Sequence, residues 1–225
     1  MIRTIYHGSD HIIEKPVFGL GKVYNDYGRG FYCTEDLNMA KEWGVGKDHD
    51  GIANGYEIDC SRLSILNLND PSYTILYWLT VLLENRTFDT TSALAFQSKE
   101  FLTKNYHLDH EKYDCIIGYR ADDSYFSFAQ DFLNGTISYR QLNNAMHLGK
   151  PGTQFVLKSK KAFNALNFIG FETADKTEWY TRKKERDIKA RRKYFDVERN
   201  RVLPTDIFIT QILNEEIRSD DPRLR

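Results

Sequence analysis

Three short segments carry side chains of the kinds that hold and activate a small polar ligand. They are Tyr6-His7-Gly8-Ser9, Gly28-Arg29-Gly30-Phe31-Tyr32-Cys33-Thr34 and Thr153-Gln154-Phe155-Val156. Each sets a polar or aromatic side chain at the end of an expected strand, a position from which ligands are commonly held. Taken singly, His7 also reads as a structural histidine and the aromatics beside glycine as core. A fourth segment, Arg120-Ala121-Asp122-Asp123, is a polar loop after a buried strand, from which a carboxylate can reach a cleft. Asp123 there reads as a helix N-cap and Asp122 as a general base for an acceptor nucleophile. Arg120 can pair with a pyrophosphate or stand as a solvated loop arginine.

Other chemistries find less support. His107, His110 and Glu111 form an HxxHE cluster whose spacing matches no standard zinc helix, and it reads as a solvated turn. No metal site is expected. Cys33 and Cys115 lack the local signature of a nucleophilic thiol. Gly19-Leu20-Gly21-Lys22 lacks the strand and helix that a phosphate loop requires.

The elements that must position these residues follow from periodicity. Ile2 to His7 reads as a strand stopped by Gly8-Ser9-Asp10, and a Gly- and Tyr-rich loop leads to the short run Phe31-Tyr32-Cys33. Thr34 is expected to cap a helix carrying Leu37, Ala40 and Trp43, ended by Gly44. Tyr56 to Asp59 and Leu63 to Leu66 alternate like half-buried strands. Pro71-Ser72 opens a helix from Tyr73 to Leu83 that is apolar nearly all round and hence buried. A helix over Ser92 to Tyr106, a strand over Tyr113 to Ile117 and a helix from Tyr125 to Leu133 closed by Gly135 follow. Ser138 and Gln141 form a capping box. Thr153 to Leu157 is a strand, Ser159 caps a helix through Leu166, and Pro204-Thr205-Asp206 caps a last helix with Ile209, Ile212, Leu213 and Ile217. Strands and helices interleave without a regular βαβ period, which predicts an α+β fold.

The chain has 225 residues, 31 basic against 32 acidic side chains and a net charge of -1, so it has no overall field for nucleic acid or membrane. Its 41 % hydrophobic and 14 % aromatic content, with a mean hydropathy of -0.57, excludes global disorder and coiled coil. The start lacks an apolar leader and the longest apolar stretch is too short for a bilayer. Three cysteines without a CxxC predict reduced thiols in a cytoplasm, where the Asn-x-Thr triplets at Asn85 and Asn134 carry no meaning. Residues 1–175 are expected to form the main domain. From Lys176 to Arg201 there are 11 basic against 5 acidic residues, a local +6 that reads as one exposed basic helix, so 176–225 is expected as basic and amphipathic helices packed on the main domain or extending from it.

In their order and spacing the three segments resemble the ADP-ribosyltransferase superfamily, in its diphtheria-toxin and poly(ADP-ribose) polymerase-like branch. The likeness is nearest to a bacterial family with YHGS, GRGFY-T and Q-[FY]-V segments, and it spans roughly residues 2 to 170. It implies split mixed and antiparallel sheets with flanking helices, and NAD as substrate. His7 matches the histidine that hydrogen-bonds the adenosine ribose, the Gly8 backbone matches the group gripping the nicotinamide amide, and Ser9 falls beside them. Tyr32 matches the tyrosine stacked on nicotinamide, and Trp43 falls where a second aromatic closes the other side. The third catalytic position, a glutamate in the family, is Gln154 here, and Ala40 stands where a poly(ADP-ribose) polymerase has a serine.

The resemblance therefore implies a bacterial enzyme transferring single ADP-ribose units from NAD to a macromolecular acceptor, protein or nucleic acid. A toxin or conflict effector with a neutralising antitoxin partner fits this reading. The alternatives are an inactive NAD- or ADP-ribose-binding module, marked by Gln154, and an NAD glycohydrolase. A structural protein acting through its C-terminal helices is a further one. The basic segment can hold nucleic-acid phosphates, dock an acidic partner, or be solvated.

Overall fold

A computed structural model describes residues 1–121 and 123–224. The architecture is α+β, with two sheets and flanking helices. The first sheet is antiparallel, in the order β1 (Ile2–Ser9), β3 (Gly51–Asp59) and β7 (Leu166–Ala174). The second is mixed, in the order β2 (Phe31–Cys33), β6 (Thr153–Leu157), β5 (Cys115–Tyr119) and β4 (Ile65–Asn67), with only β4 and β5 parallel. That parallel pair needs a long crossover, which α2 (Ile75–Asn85) and α3 (Ala93–Asn105) supply.

Strand alternation divides the core in two. Cys33, Cys115, Ile117, Phe155 and Leu157 point from the second sheet toward Ile5, Tyr56 and Ile58 of the first. The opposite face, with Leu66, Ile116 and Val156, packs on α2, α3, α4 (Asp123–Leu133) and α5 (Tyr139–Ala145). Trp78, Phe128 and Phe132 are fully buried there, each worth roughly 1.5–3 kcal/mol of transfer free energy or more. The sheets are stitched by one bridge, in which the Tyr6 amide donates to the Thr34 carbonyl at 2.7 Å and the Thr34 amide to the Tyr6 carbonyl at 2.9 Å.

The capping residues at Ser92, Ser138 with Gln141, and Ser159 stand where the sequence places them. Three expectations are corrected. α1 (Leu37–Gly44) is capped by Asp36, whose carboxylate accepts from the Asn38 and Met39 amides, because Thr34 is already committed to the bridge with Tyr6. α8 (Ile209–Asn214) begins after Phe208, and Asp206 instead takes a bidentate pair from Arg140 at 2.7 and 2.8 Å. The stretch after α6 (Lys160–Asn164) is the edge strand β7.

The basic segment forms α7 (Lys176–Lys193) and continues as a π-helical turn over Tyr194–Glu198. It is not a free arm. Trp179 packs with Val45 and Ala174, and Arg186 meets Glu42 of α1. No described helix is long and apolar enough to cross a membrane.

Candidate active site

One cavity of ≈ 1230 Å³ lies where β1, β2 and β6 meet, and His7, Tyr32, Trp43, Arg120 and Gln154 all line it. They arrive from separate parts of the chain, and hydrogen bonding fixes their relation. The bridge at Tyr6 and Thr34 holds β1 against β2, so His7 Nδ1 reaches the Tyr32 carbonyl oxygen at 2.7 Å. A carbonyl only accepts, so Nδ1 carries the proton. Burial lowers the His7 pKa below its ordinary 6.5, with the Tyr32 hydrogen bond opposing and His11 reinforcing the shift. The neutral ring thus presents Nε2 as a hydrogen-bond acceptor. Phe31 stacks on the imidazole at 4.3 Å and sets its plane.

Tyr32 pairs with Val156 across the β2 and β6 ladder, which puts Gln154 on the same face as a diagonal neighbour, about 7–8 Å away. The Tyr32 hydroxyl donates to the Gly28 carbonyl at 2.7 Å and accepts from the Tyr27 amide at 3.0 Å. This closes a tight loop on the ring, and Gly28 at φ 71 supplies the left-handed residue the loop needs. Burial raises the Tyr32 pKa, so its phenol stays protonated.

The Tyr27 segment is itself held from three sides. Tyr27 donates its hydroxyl to the Tyr119 carbonyl, and Lys158 donates to the Tyr27 carbonyl, both at 2.6 Å. Buried Asp26 accepts from Arg86 at 2.7 Å and from the Ala121 amide at 2.9 Å. Burial raises the Asp26 pKa against these contacts.

Two buried polar atoms at this site have no hydrogen-bond partner among the described residues, Gln154 Oε1 and Trp43 Nε1. One is an acceptor and the other a donor, and both belong to residues that line the cavity. The Arg120 guanidinium lies 4.9 Å from the centre of the Trp43 ring.

Gly8 and Ser9 are not brought to the cavity wall. A Cβ on Gly8 would stand 2.1 Å from the Ala40 carbonyl oxygen and 2.9 Å from the Trp43 Cβ, so its glycine is required by the close approach of α1. Ser9 donates to the His11 carbonyl at 2.6 Å and accepts from Asn54 at 2.9 Å. Asp122 and the side chain of Asp123 lie outside the described residues.

In the HxxHE cluster His107 and Glu111 are exposed, as a solvated turn requires, while His110 is buried. His107 and His110 both approach Glu84, at 2.6 and 3.3 Å, and Glu111 pairs with Lys158 at 2.8 Å. Among the described residues no group of His, Cys, Asp and Glu is arranged to hold a metal ion. Cys33 is buried, and that burial pushes its thiol pKa well up, which removes the thiolate a nucleophile needs.

Sequence reasoning missed two contributors. Buried Asn54 accepts from the Ile13 amide at 2.8 Å and donates to the His11 carbonyl at 3.2 Å, folding the loop after His7 back over the sheet. The only sequence signal is a polar residue inside an apolar strand. The second is α7, whose Tyr180, Lys183, Lys184, Asp187, Ile188 and Arg191 line the cavity at helical spacing.

A search of curated proteins and a search of solved structures each found no match. A family model described as "Protein of unknown function (DUF3990)" matches residues 3–168, well over half of the chain. That span holds His7, Tyr32, Trp43 and Gln154 and ends before α7, and on its strength the chain belongs to the DUF3990 family.

Proposed function

We propose that the cavity binds NAD and that the protein transfers a single ADP-ribose from it to a macromolecular acceptor. The observation that carries the reading is the convergence of His7, Tyr32, Trp43 and Gln154 on one cavity, since these are the four side chains to which the ADP-ribosyltransferase resemblance gives roles. Its ≈ 1230 Å³ exceeds the usual range for drug-sized ligands and suits a dinucleotide. Buried orphan polar atoms at Gln154 and Trp43 further support a polar ligand, because such atoms normally find a partner.

In this reading His7 Nε2 accepts from a ribose hydroxyl of the adenosine, while Tyr32 and Trp43 stack on the cationic nicotinamide ring. Gln154 Oε1 accepts from the nicotinamide ribose. The bond between the ring nitrogen and C1′ breaks, and its electron pair leaves on neutral nicotinamide. Positive charge spreads over C1′ and the ring oxygen until a lone pair of the acceptor bonds to C1′ and the acceptor loses its proton. Asp122 is the residue assigned to take that proton. A neutral amide at position 154 stabilises the charge less than a carboxylate, so the reading expects slow, single transfer. It places the protein in a bacterial cytoplasm as a conflict effector with a neutralising partner.

Incubation with labelled NAD and cell lysate, then separate protease and nuclease digestion, tests this. Label on a macromolecule supports transfer. Free nicotinamide without labelled acceptor makes the protein a glycohydrolase, and NAD binding without turnover makes it a binding module, a reading favoured by Gln154.

A further inference from the structure

A second cavity, of ≈ 590 Å³, lies beyond the carboxyl ends of the parallel pair β4 and β5, where the loop over residues 68–74 leads into α2. Ligands are held at such strand ends in open α/β sheets, and the volume is that of a small-molecule site. No residue lines both this cavity and the first.

Its walls are aromatic and rich in acceptors. Tyr73, Tyr119 and Tyr139 line it, each only partly buried against the core, so part of each side chain is left exposed. The Tyr139 hydroxyl donates to the Leu224 carbonyl at 2.7 Å, and the Tyr119 ring meets Trp78 edge to face at 6.0 Å. Asn69 donates from Nδ2 to the Thr153 hydroxyl at 3.3 Å, which leaves its Oδ1 buried and without a hydrogen bond among the described residues. Beside it, Asp70 accepts from the Ser72 hydroxyl at 2.7 Å and from the Ser72 amide at 2.9 Å. Those two bonds lower the Asp70 pKa, so its carboxylate is ionised.

Asp70 is the only charged side chain in the described lining, so a phosphate or carboxylate ligand meets no cation there. The Ile75 amide, at the positive end of α2, is already directed at the Tyr139 hydroxyl. An unpaired acceptor, an ionised carboxylate and three tyrosine rings all favour the same occupant, a cation that carries N–H donors. A neutral sugar would satisfy Asn69 and leave Asp70 and the ring faces without a charge to attract.

We propose that this cavity binds an alkylammonium ligand, with its N–H on Asn69 Oδ1 and its charge between the Asp70 carboxylate and the tyrosine rings. The site stands apart from the NAD reading.

Calorimetric titration of the full chain, without NAD, with n-hexylammonium, its trimethylammonium analogue and hexan-1-ol tests the site, because the probes differ only in the terminal group. Hexylammonium should bind most tightly. The trimethyl ion should bind less well because it has no N–H for Asn69, and the alcohol least because it has no charge. Asp70→Asn keeps an oxygen for the Ser72 bonds and should weaken hexylammonium about five- to tenfold, leaving the alcohol nearly unchanged. Glu100→Gln removes the same charge at an exposed site outside the cavity and should change neither. Asn69→Leu should erase the preference for the primary over the trimethyl ion, a ratio that a merely structural asparagine would not move. Absent hexylammonium binding overturns the proposal, as does wild-type affinity for the alcohol or the trimethyl ion equal to that for hexylammonium. Equal losses in Asp70→Asn and Glu100→Gln, or an unchanged ratio in Asn69→Leu, overturn it too.

Discussion

Arg186 of α7 donates from Nε to the Glu42 carboxylate of α1 at 2.8 Å, across 144 positions of sequence, with both side chains only about a tenth exposed. The pair fastens the basic helix to the helix that carries Trp43, and so sets the width of the cavity between them. A buried ion pair is weak evidence for net stability, but breaking one side is expensive because a charge is left unmatched. Arg186→Met strands Glu42 and is expected to cost about 3 kcal/mol, read as a denaturant midpoint shift. The double variant Glu42→Met with Arg186→Met should recover most of that loss. A double variant as unstable as the single would show that the pair is not the contact at stake.

Gly8 tests how α1 is seated. Adding one methyl drives it into the Ala40 carbonyl, a backbone atom that cannot swing away. Gly8→Ala should therefore destabilise the fold by at least about 2 kcal/mol, with a melting point lower by roughly 2–4 °C per kcal/mol. It should also weaken NAD binding, since Trp43 must shift with the helix. Unchanged stability would mean that α1 sits further from β1 than its contacts indicate.

The caps at Ser92, Ser138 and Ser159 are legible in the sequence because a cap is local chemistry, satisfied within four residues. Thr34 and Asp206 have the right residue types, yet long-range partners take them first, Tyr6 in one case and Arg140 in the other. β7 is hidden for a different reason. Leu166 and Phe168 pack inward, but the outward positions also carry apolar side chains, Ile169 and Phe171, at 49 % and 47 % exposure. With apolar residues on both faces, the polar and apolar alternation that marks a half-buried strand is lost. Asn54-Gly55 disguises β3 in the same way, since that dipeptide is a turn signal placed here in mid-strand. The site segments themselves are legible, but that α7 faces them is a tertiary fact that no local pattern encodes.

Tyr32 and Trp43 make the NAD reading quantitative. Stacking on a cationic ring is worth about 0.5–2 kcal/mol, so Tyr32→Ala and Trp43→Ala should each weaken NAD about two- to thirtyfold in calorimetry. Tyr32→Phe keeps the ring and loses the hydroxyl that ties Tyr27 to Gly28, so it should fall between wild type and Tyr32→Ala. Wild-type affinity in both alanine variants would remove the stacking assignment.

His7 gives a pH signature. Its folded pKa lies below the unfolded 6.5, chiefly because burial disfavours the imidazolium. Between those two values the unfolded chain binds more protons than the folded one, so stability rises with pH across that window. The contribution is complete above 6.5 and is lost as pH falls toward the folded pKa. His7→Gln should make the acid side of the stability curve shallower without changing its shape above that point, as chemical denaturation over a pH series would show. If His7 positions ribose and does not shuttle protons, turnover should not titrate near 6.5 either. A rate profile that follows a pKa there and moves with His7 variants would assign it proton transfer.

Gln154 is where binding and chemistry part. Its Oε1 is buried and makes no hydrogen bond within the described protein, an arrangement that costs roughly 1–3 kcal/mol when no ligand supplies a donor. Gln154→Met removes that unmatched acceptor at similar volume, so the free protein should melt at an equal or higher temperature. Nicotinamide release should fall in the same variant, and more in kcat than in KM, because the hydrogen bond strengthens as charge develops on the ribose. Higher stability together with lower turnover marks a residue kept strained for its ligand, which a purely structural glutamine would not show. Gln154→Glu restores a carboxylate at nearly unchanged volume. A fixed negative charge stabilises an oxocarbenium more than an amide dipole does, so nicotinamide release should rise. Transfer to the native acceptor should rise less, or fall, where the amide also orients the incoming group. Should all three measurements stay at wild-type values in folded variants, the catalytic carboxylate has to be sought at Asp122 or Asp123, with the same release assay applied to each.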